Sequence, residues 1–295
     1  MTINRVTQRM MVTSSLAGLQ NSLATVARTQ EQLSSGRALN RPSDDPSGTD
    51  TAMRLRQSLA ATTQYARNAQ DGTGWLDQAD TALGSVGDQL LHAQDLITQG
   101  VNGAMTQSAR DALSSQLQSL RTGILGDANT TYLGRPIFGG VTGGTKAYDA
   151  TGTYVGTPGA VNRTVADGMT VRVDVDGPSV LGSGAGSVFD HLDAAAAAVS
   201  SGDVAGMQAA LTAVQADFQR VTDAHALVGS TTNQITSAVS AAQTRQTSLT
   251  SSLQDIENTD LPKAAMDLQL QTVAYQAALG AASKALQPSL MEFLR

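Results

Sequence analysis

The residues that could do chemistry are few and stand apart from one another. Asp44 and Asp45 are adjacent carboxylates, a pair that general acid–base catalysis could use, but neither a histidine nor a second carboxylate cluster accompanies them. Prolines flank the pair on both sides, and aspartate is common in turns and at helix starts. We therefore interpret the pair as turn residues. We predict that Arg41, Asp44 and Asp45 either brace the first two helices or contact another subunit.

Candidates for metal or cofactor binding are equally isolated. His92, His191 and His225 each stand alone in a helical context, whereas a metal site needs several ligands at helical or loop spacing. The run Asp174–Gly177 resembles part of a calcium loop but lacks the downstream glutamate, which favours a turn. The glycine-rich run at 182–186 lacks the strand and helix of a dinucleotide site and is typical of a linker. The sequence thus predicts no catalytic residue, metal or cofactor.

The composition suits helix–helix packing better than a globular aromatic core. Hydrophobic residues make up 41% of the chain but aromatic residues only 3%, and compact cores usually depend on aromatics for buried area. The net charge of −6, without a basic stripe, argues against a nucleic-acid partner, because phosphate contacts need clustered Lys or Arg. The absence of cysteine excludes disulfides and thiol chemistry.

Hydropathy predicts neither a membrane span nor a cleaved signal peptide. No stretch approaches the ~18 apolar residues that a membrane-spanning helix needs. The segment Met1–Leu19 carries two arginines but no continuous apolar run. If the protein leaves the cell, we expect another export route.

Apolar residues near both ends recur at alternating steps of three and four, the heptad pattern of a coiled coil. The N-terminal seam consists of Val12, Leu16, Leu19, Leu23, Val26, Gln30 and Leu33. The C-terminal seam consists of Leu261, Ala265, Leu268, Thr272, Tyr275, Leu279, Ala282, Leu286, Leu290 and Phe293. Because an isolated apolar seam is marginal in water, we expect the two terminal helices to pack on each other and neighbouring copies to cover the rest.

Two further heptad stretches lie inside the chain, at 76–97 and 235–256. If one helix ran from Asp203 to Glu257, it would be about 80 Å long at ~1.5 Å per residue, which predicts a rod. We expect the helix after the proline-bearing turn to begin near Thr49. The five-residue step between Ile256 and Leu261 predicts a break before the last helix.

The composition changes in the middle of the chain, which becomes rich in Gly and Thr. The alternation at 170–175 predicts a half-buried strand, with 162–165 and 153–155 as weaker candidates. The predicted fold is mainly α: an elongated bundle of long coiled-coil-like helices from both termini, with a small inserted β-rich domain. The predicted domains are an N-terminal helical core, the β-rich insert and a C-terminal helical core that pairs with the first, at 1–131, 132–186 and 187–295.

Three segments resemble the bacterial flagellin-like axial proteins. Leu33–Gly48 reads LSSGRALNRPSDDPSG and is similar to the turn that follows the first helix in this family, although Ala38-Leu39 replaces the commoner Lys or Arg and Ile. Leu133–Gly140 reads LGRPIFGG and resembles the point at which such proteins leave their helical core. Ser289–Arg295 reads SLMEFLR and is similar to the C-terminal ending of some members.

The resemblance implies a structural subunit of the bacterial flagellum and no enzyme. Flagellin proper usually has SAKDDAAG in the turn, so the proline-bearing form is more similar to members that form the junction between hook and filament. Such proteins are exported unfolded by the flagellar type III apparatus and lie outside the cell. The implied partners are copies of the chain itself, a neighbouring hook-associated protein, flagellin and an export chaperone. Two alternatives stay open: flagellin itself, and a secreted coiled-coil translocator or adhesin.

The predicted assembly interface combines the turn with the two terminal seams. Its residues are Leu16, Leu19, Leu23, Arg41, Asp44, Asp45, Leu268, Tyr275, Leu279, Leu286, Leu290 and Phe293. Because apolar spacing continues into the last residues, where chains usually fray, we expect part of this seam to await a neighbour. We also predict that residues 1–36 and 261–295 are poorly ordered in the free monomer and become ordered on assembly.

Overall fold

A computed structural model describes residues 3–101 and 105–286 of the 295-residue chain, and within them the fold is mainly helical. The helices are α1 (Ile3–Ser35), α2 (Pro46–Gly100), α3 (Gln107–Ala128), α4 (Gly177–Leu181), α5 (Val188–Ser201), α6 (Val204–Glu257) and α7 (Leu261–Leu286). The strands are β1 (Thr131–Tyr132), β2 (Arg135–Pro136), β3 (Asn162–Ala166) and β4 (Met169–Arg172). The predicted class, long helices from both termini around a small β-rich insert, is confirmed. None of the described helices is long and apolar enough to span a membrane.

Proline and aspartate residues mark ends of the long helices. α2 begins at Pro46, three residues before the predicted start, because proline suits the first helical position, where the N–H would have no partner. The Asp45 carboxylate accepts a hydrogen bond from the Ser47 N–H at 3.0 Å at this end. α6 is one 54-residue helix that ends at Glu257, as the heptads predicted. After the break, Asp260 caps α7 by accepting from the Lys263 N–H at 3.0 Å.

The β structure consists of two antiparallel pairs. β1 pairs with β2 through a tight turn, and β3 pairs with β4 with Arg163 opposite Val171. Strand β4 overlaps the strand predicted at 170–175 but ends at Arg172, and β3 contains the weaker candidate at 162–165. The other weak candidate, 153–155, makes only an isolated bridge between Tyr154 and Tyr148.

The chain forms two compact units, which we call the terminal unit (1–60 with 247–295) and the central unit (61–246). The central unit has a continuous apolar core to which α2, α3, α5, α6 and the β segments all contribute. Trp75, Leu117, Phe189 and Val221 are among its buried members. The domain boundaries expected at 131 and 186 stay a prediction.

Candidate assembly interface

The terminal helices α1 and α7 pack against each other, as the heptads predicted. The Thr29 hydroxyl donates to the Gln271 side-chain oxygen at 2.8 Å. Just after the end of α1, the Gly36 carbonyl accepts from the Thr259 N–H at 3.0 Å, and the Ala38 N–H donates to the Glu257 carbonyl at 2.7 Å. From one contact to the next, residue numbers rise from 29 to 38 in the N-terminal segment and fall from 271 to 257 in the C-terminal segment, so the two segments are antiparallel.

The covered stripe of α1 differs from the predicted seam. Among the described side chains of α1, the residues at least partly covered are Ser15, Leu19, Ser22, Val26, Thr29 and Leu33, at steps of four and three, together with Gln32 beside the last of them. Of the three predicted interface leucines on α1, only Leu19 belongs to this stripe, while Leu16 and Leu23 are each 51% exposed. Small side chains such as Ser15 and Ser22 let two helices approach closely. The leucines at the flank therefore keep an apolar surface that α7 does not fill.

Helix α7 is apolar on two faces. The first contains the predicted residues Leu268 and Tyr275, both partly covered, and Leu279, which is 44% exposed. The second lies on the opposite side of the helix, since residues two apart differ by about 200°. Its side chains are Met266, Leu270 and Val273, exposed by 61%, 69% and 61%. Sequence analysis missed this second stripe, although its spacing of four and then three residues was visible.

A helix buries its apolar face against another element, so one with two apolar faces needs two partners, yet the terminal unit buries very little. Among its residues with described side chains, only Thr29, Ala52, Glu257 and Ala264 are buried. Contiguous exposed apolar surface of this kind marks a contact site for another molecule. The geometry thus defines a helical subunit whose terminal unit presents unfilled apolar faces.

The proline-bearing turn is held by its own aspartates. The Asp44 carboxylate accepts from the Arg41 N–H at 2.8 Å, and Asp45 caps α2. The Arg41 guanidinium reaches Glu31 of α1 at 3.3 Å, so this residue connects the turn to the first helix. Both side chains of that ion pair are largely exposed, by 68% and 44%. The turn residues therefore brace α1 and the start of α2 without becoming buried.

Glu257 is an organising residue that sequence analysis did not single out. It ends α6, and its side chain is only 10% exposed. Arg37 from the turn lies 3.7 Å from one carboxylate oxygen, and Arg56 from α2 lies 2.5 Å from the other. One carboxylate thus ties together the turn, α2 and α6 within the terminal unit. The only sequence signal was its place at the heptad break, since its partners lie about 200 positions away.

Three predicted interface residues close the C-terminal seam. Leu286 is the last residue of α7, and its side chain lies outside the described residues, as do Leu290 and Phe293 altogether. Their assignment to the interface stays a prediction.

The isolated polar candidates have structural tasks. His191 and His225 hydrogen-bond to Asp217 and Asp80, each at 2.8 Å, and so connect helices of the central unit. Asp174 accepts from the Val161 N–H and pairs with Arg172, whose pKa is raised by this hydrogen bond. Within 3–101 and 105–286, no cluster of three or more His, Cys, Asp or Glu side chains could hold a metal ion.

Comparison with known families agrees with this geometry. The model of the bacterial flagellin N-terminal helical region matches residues 6–142, and that of the bacterial flagellin C-terminal helical region matches 211–294. Together the two models cover well over half of the chain. The chain therefore belongs to the bacterial flagellin family.

Within this family, the chain is similar to flagellar hook-associated protein 3. The Salmonella typhimurium protein of that name is 30% identical over 181 residues, which are 61% of this chain and 57% of the relative. The Escherichia coli protein is 30% identical over 200 residues, 67% of this chain and 61% of the relative. The chain thus spans about three fifths of the length of these curated relatives.

A solved structure shares the fold. A Vibrio parahaemolyticus protein assigned to the flagellar hook-associated proteins superposes with a TM-score of 0.67 at 25% identity. The match covers 73% of this chain and all of the solved one, 100%.

Proposed function

We propose that this chain is a structural subunit of the bacterial flagellum that forms the junction between hook and filament. The observation that carries the proposal is the pair of apolar faces on α7, of which only one is covered by α1. The side chains of Met266, Leu270 and Val273 are exposed by 61%, 69% and 61%, and helix packing in a repeating assembly would cover them. The function is mechanical, and no catalytic step is part of it.

The proposed partners follow from the same faces. Copies of the chain pack side by side through Leu16, Leu23 and the second α7 stripe, and a neighbouring hook-associated protein and flagellin adjoin the ring at its two ends. Before assembly, an export chaperone covers the C-terminal helix, which includes Leu279 and continues towards Leu290 and Phe293. The chain acts outside the cell and reaches the flagellum through the flagellar export apparatus.

The turn contributes to the interface as a brace. Replacing Arg41, Asp44 and Asp45 together by alanine removes a helix cap, typically about 1 kcal/mol, and the link to Glu31. We expect fewer assembled filaments and reduced motility, scored by microscopy and swimming assays. Asp50→Ala, which removes an exposed ion pair with Arg54 on the same helix, is the matched control. Normal assembly of the triple variant would contradict a role for the turn.

The main alternative is flagellin, the filament subunit itself. The proline-bearing turn and the SLMEFLR ending favour the junction subunit, and both relatives described above carry the name hook-associated protein 3. A secreted translocator or adhesin is less well supported, because both terminal blocks match one flagellar family.

Deletion of the gene followed by electron microscopy tests the proposal. We expect cells that build hooks but release unpolymerised flagellin into the medium, since the filament has nothing to grow on. Complementation with the full chain should restore filaments. Normal filaments on the deletion strain, or hooks with flagellin retained in the cell, would count against the junction function. Loss of all filament protein would instead favour flagellin.

A further inference from the structure

The turn between β1 and β2 presents an apolar tip that its own subunit does not use. Leu133 has a backbone φ of 50° and is 80% exposed. A left-handed leucine is disfavoured, because its Cβ crowds the following carbonyl, and such hairpin turns usually hold Asn or Gly. The hairpin is nevertheless held in place on both sides of its turn. The centre of the Tyr132 ring lies 5.9 Å from that of the Trp75 ring, and the Arg135 guanidinium lies 5.4 Å from the centre of the same Trp75 ring.

A groove of about 590 Å³ opens elsewhere on the central unit, between β4, α4 and α6. Leu76, Val171, Val180 and Val228 contribute apolar walls, and Leu227 at the groove is 68% exposed. A groove of this size with an apolar lining and a few polar groups can accommodate an inserted side chain.

The backbone of β4 adds polar partners along one wall. The Val173 N–H donates to the Val161 carbonyl at 2.8 Å, so the Val173 backbone points towards β3, while the Val161 N–H donates to the Asp174 carboxylate. In an antiparallel ladder the next residue, Arg172, then directs its own N–H and C=O away from β3. Because Arg172 lines the groove, this open edge is available to the backbone of an inserted turn.

Tip and groove also match in charge. Arg135, beside Leu133, forms no ion pair with any described residue, and neither do Asp176 and Asp223 of the groove. The tip thus combines an apolar side chain with an arginine that has no ion pair among the described residues, and the groove combines apolar walls with two carboxylates that likewise have none there. Arg172, Asp174 and Arg220 also line the groove, but each is already in an ion pair within the unit. A tip that carried an acidic neighbour would be repelled from this site.

The tip cannot enter the groove of its own subunit. A Cβ at Gly74 would lie 2.5 Å from the Tyr132 hydroxyl, so Gly74 faces the hairpin, whereas Leu76 faces the groove. Residues two apart on a helix differ by about 200°, which places hairpin and groove on opposite sides of α2. The inserted tip must therefore come from another molecule.

We propose that the groove of one subunit receives the Leu133 tip of a second copy, whose Arg135 approaches Asp176 and Asp223. The contact is head-to-tail, so an open row of copies keeps one free tip at one end and one free groove at the other until it closes into a ring. The proposal rests on the proposed function, because it needs an assembly in which copies adjoin, and it deepens that function by naming a contact between copies.

Cysteine cross-linking tests the contact, because the chain contains no native cysteine. Cells would express Leu133→Cys/Leu227→Cys as their only copy of the protein, and isolated flagella would be treated with a short bismaleimide. We expect a ladder of cross-linked oligomers on a denaturing gel. Each single variant should give no ladder, since tip meets groove and not tip. Leu133→Cys/Leu91→Cys is the matched control, because Leu91 is 45% exposed but does not line the groove.

Charge reversal provides a second readout in the cross-linking background. Arg135→Glu and Asp223→Arg should each reduce the ladder, and their combination should restore it. If the Leu133→Cys/Leu227→Cys protein is present in flagella but gives no ladder, the contact is overturned and the junction function stays intact. The same holds if its ladder is no stronger than those of the single-cysteine variants and the Leu91 control. Absence of the unmodified chain from isolated flagella would overturn both proposals. Loss of incorporation by the tip variant alone, with unchanged thermal unfolding, would support the contact.

Discussion

Glu257 shows how much the terminal unit depends on one residue. A carboxylate at a helix C-terminus is disfavoured by the helix dipole, and this one is also buried, so Arg37 and Arg56 must offset both costs. We predict that Glu257→Gln destabilises the terminal unit by about 1–2 kcal/mol, less than a fully buried pair would lose, because both arginines can reach water. Hydrogen exchange of α1 and α7 amides would measure the loss.

The matched control for this substitution is Glu31→Gln. Glu31 pairs with Arg41 at the surface, so its loss should change stability by only about 0–0.5 kcal/mol. Equal effects of the two substitutions would mean that Glu257 acts only as a surface charge.

Ionisation of Tyr148 limits the stability of the central unit at high pH. Burial, together with the nearby Tyr154 and Asp176, raises the pKa of this phenol far above its ordinary value. Its folded pKa therefore exceeds the unfolded value near 10, so its contribution is full below about pH 10 and is lost as pH rises towards the folded pKa. We predict that Tyr148 ionises only when the central unit unfolds, so its phenolate absorbance in the ultraviolet should appear together with the loss of the circular dichroism signal.

Tyr148→Phe separates this titration from packing. The variant loses the hydrogen bond to the Gly182 carbonyl, about 1 kcal/mol at neutral pH, but also loses the group that titrates. Its stability should therefore fall less steeply above pH 10 than that of the unmodified chain. An identical slope would show that another group controls the alkaline transition.

At the scale of the element, a substitution in the exposed stripe of α7 should impair assembly without impairing folding. Leu270 is 69% exposed, so Leu270→Asp should leave the stability of the isolated chain within about 0.5 kcal/mol. A buried charge in a packed assembly is far more costly, and we predict loss of filaments and of swimming. Gln269→Asp introduces the same charge at the adjacent exposed position and should assemble. Normal assembly of both variants would exclude this stripe from the interface.

The helices were predictable from the sequence, but the covered stripes were not. Heptad spacing predicted α1, α6 and α7 and the packing of α1 on α7, because a long apolar seam needs a helical partner. It followed the leucines, however, and so placed Leu16 and Leu23 in the seam, where the structure has Ser15 and Ser22. Periodicity shows which faces of a helix are apolar, but it does not show which of those faces packs on the neighbouring helix. It also could not find Glu257, because ion pairs between distant positions leave no local pattern.

At the scale of the whole molecule, the two units differ in what holds them together. The central unit has a continuous buried core, whereas the described part of the terminal unit buries four residues. Regions with few buried contacts open at low free-energy cost. We predict that amides of residues 1–36 and 261–295 exchange much faster in the free monomer than those of the central unit, and become protected in isolated flagella. Strong protection of these residues in the monomer would refute ordering on assembly.

Because α1 packs on α7, the folding of the terminal unit is delayed until α7 has been synthesised. Thr29 and Gln271 are 242 positions apart, so α1 emerges long before its partner exists. At about 5–20 residues per second, the ribosome needs roughly 10–50 s to cover that distance. Throughout this interval α1 has no α7 to pack on, and a slow, late contact of this kind leaves α1 without that partner until Gln271 has been made. A chain terminated before Gln271 would never form this contact, and its exposed helix would lead to aggregation or degradation instead of assembly.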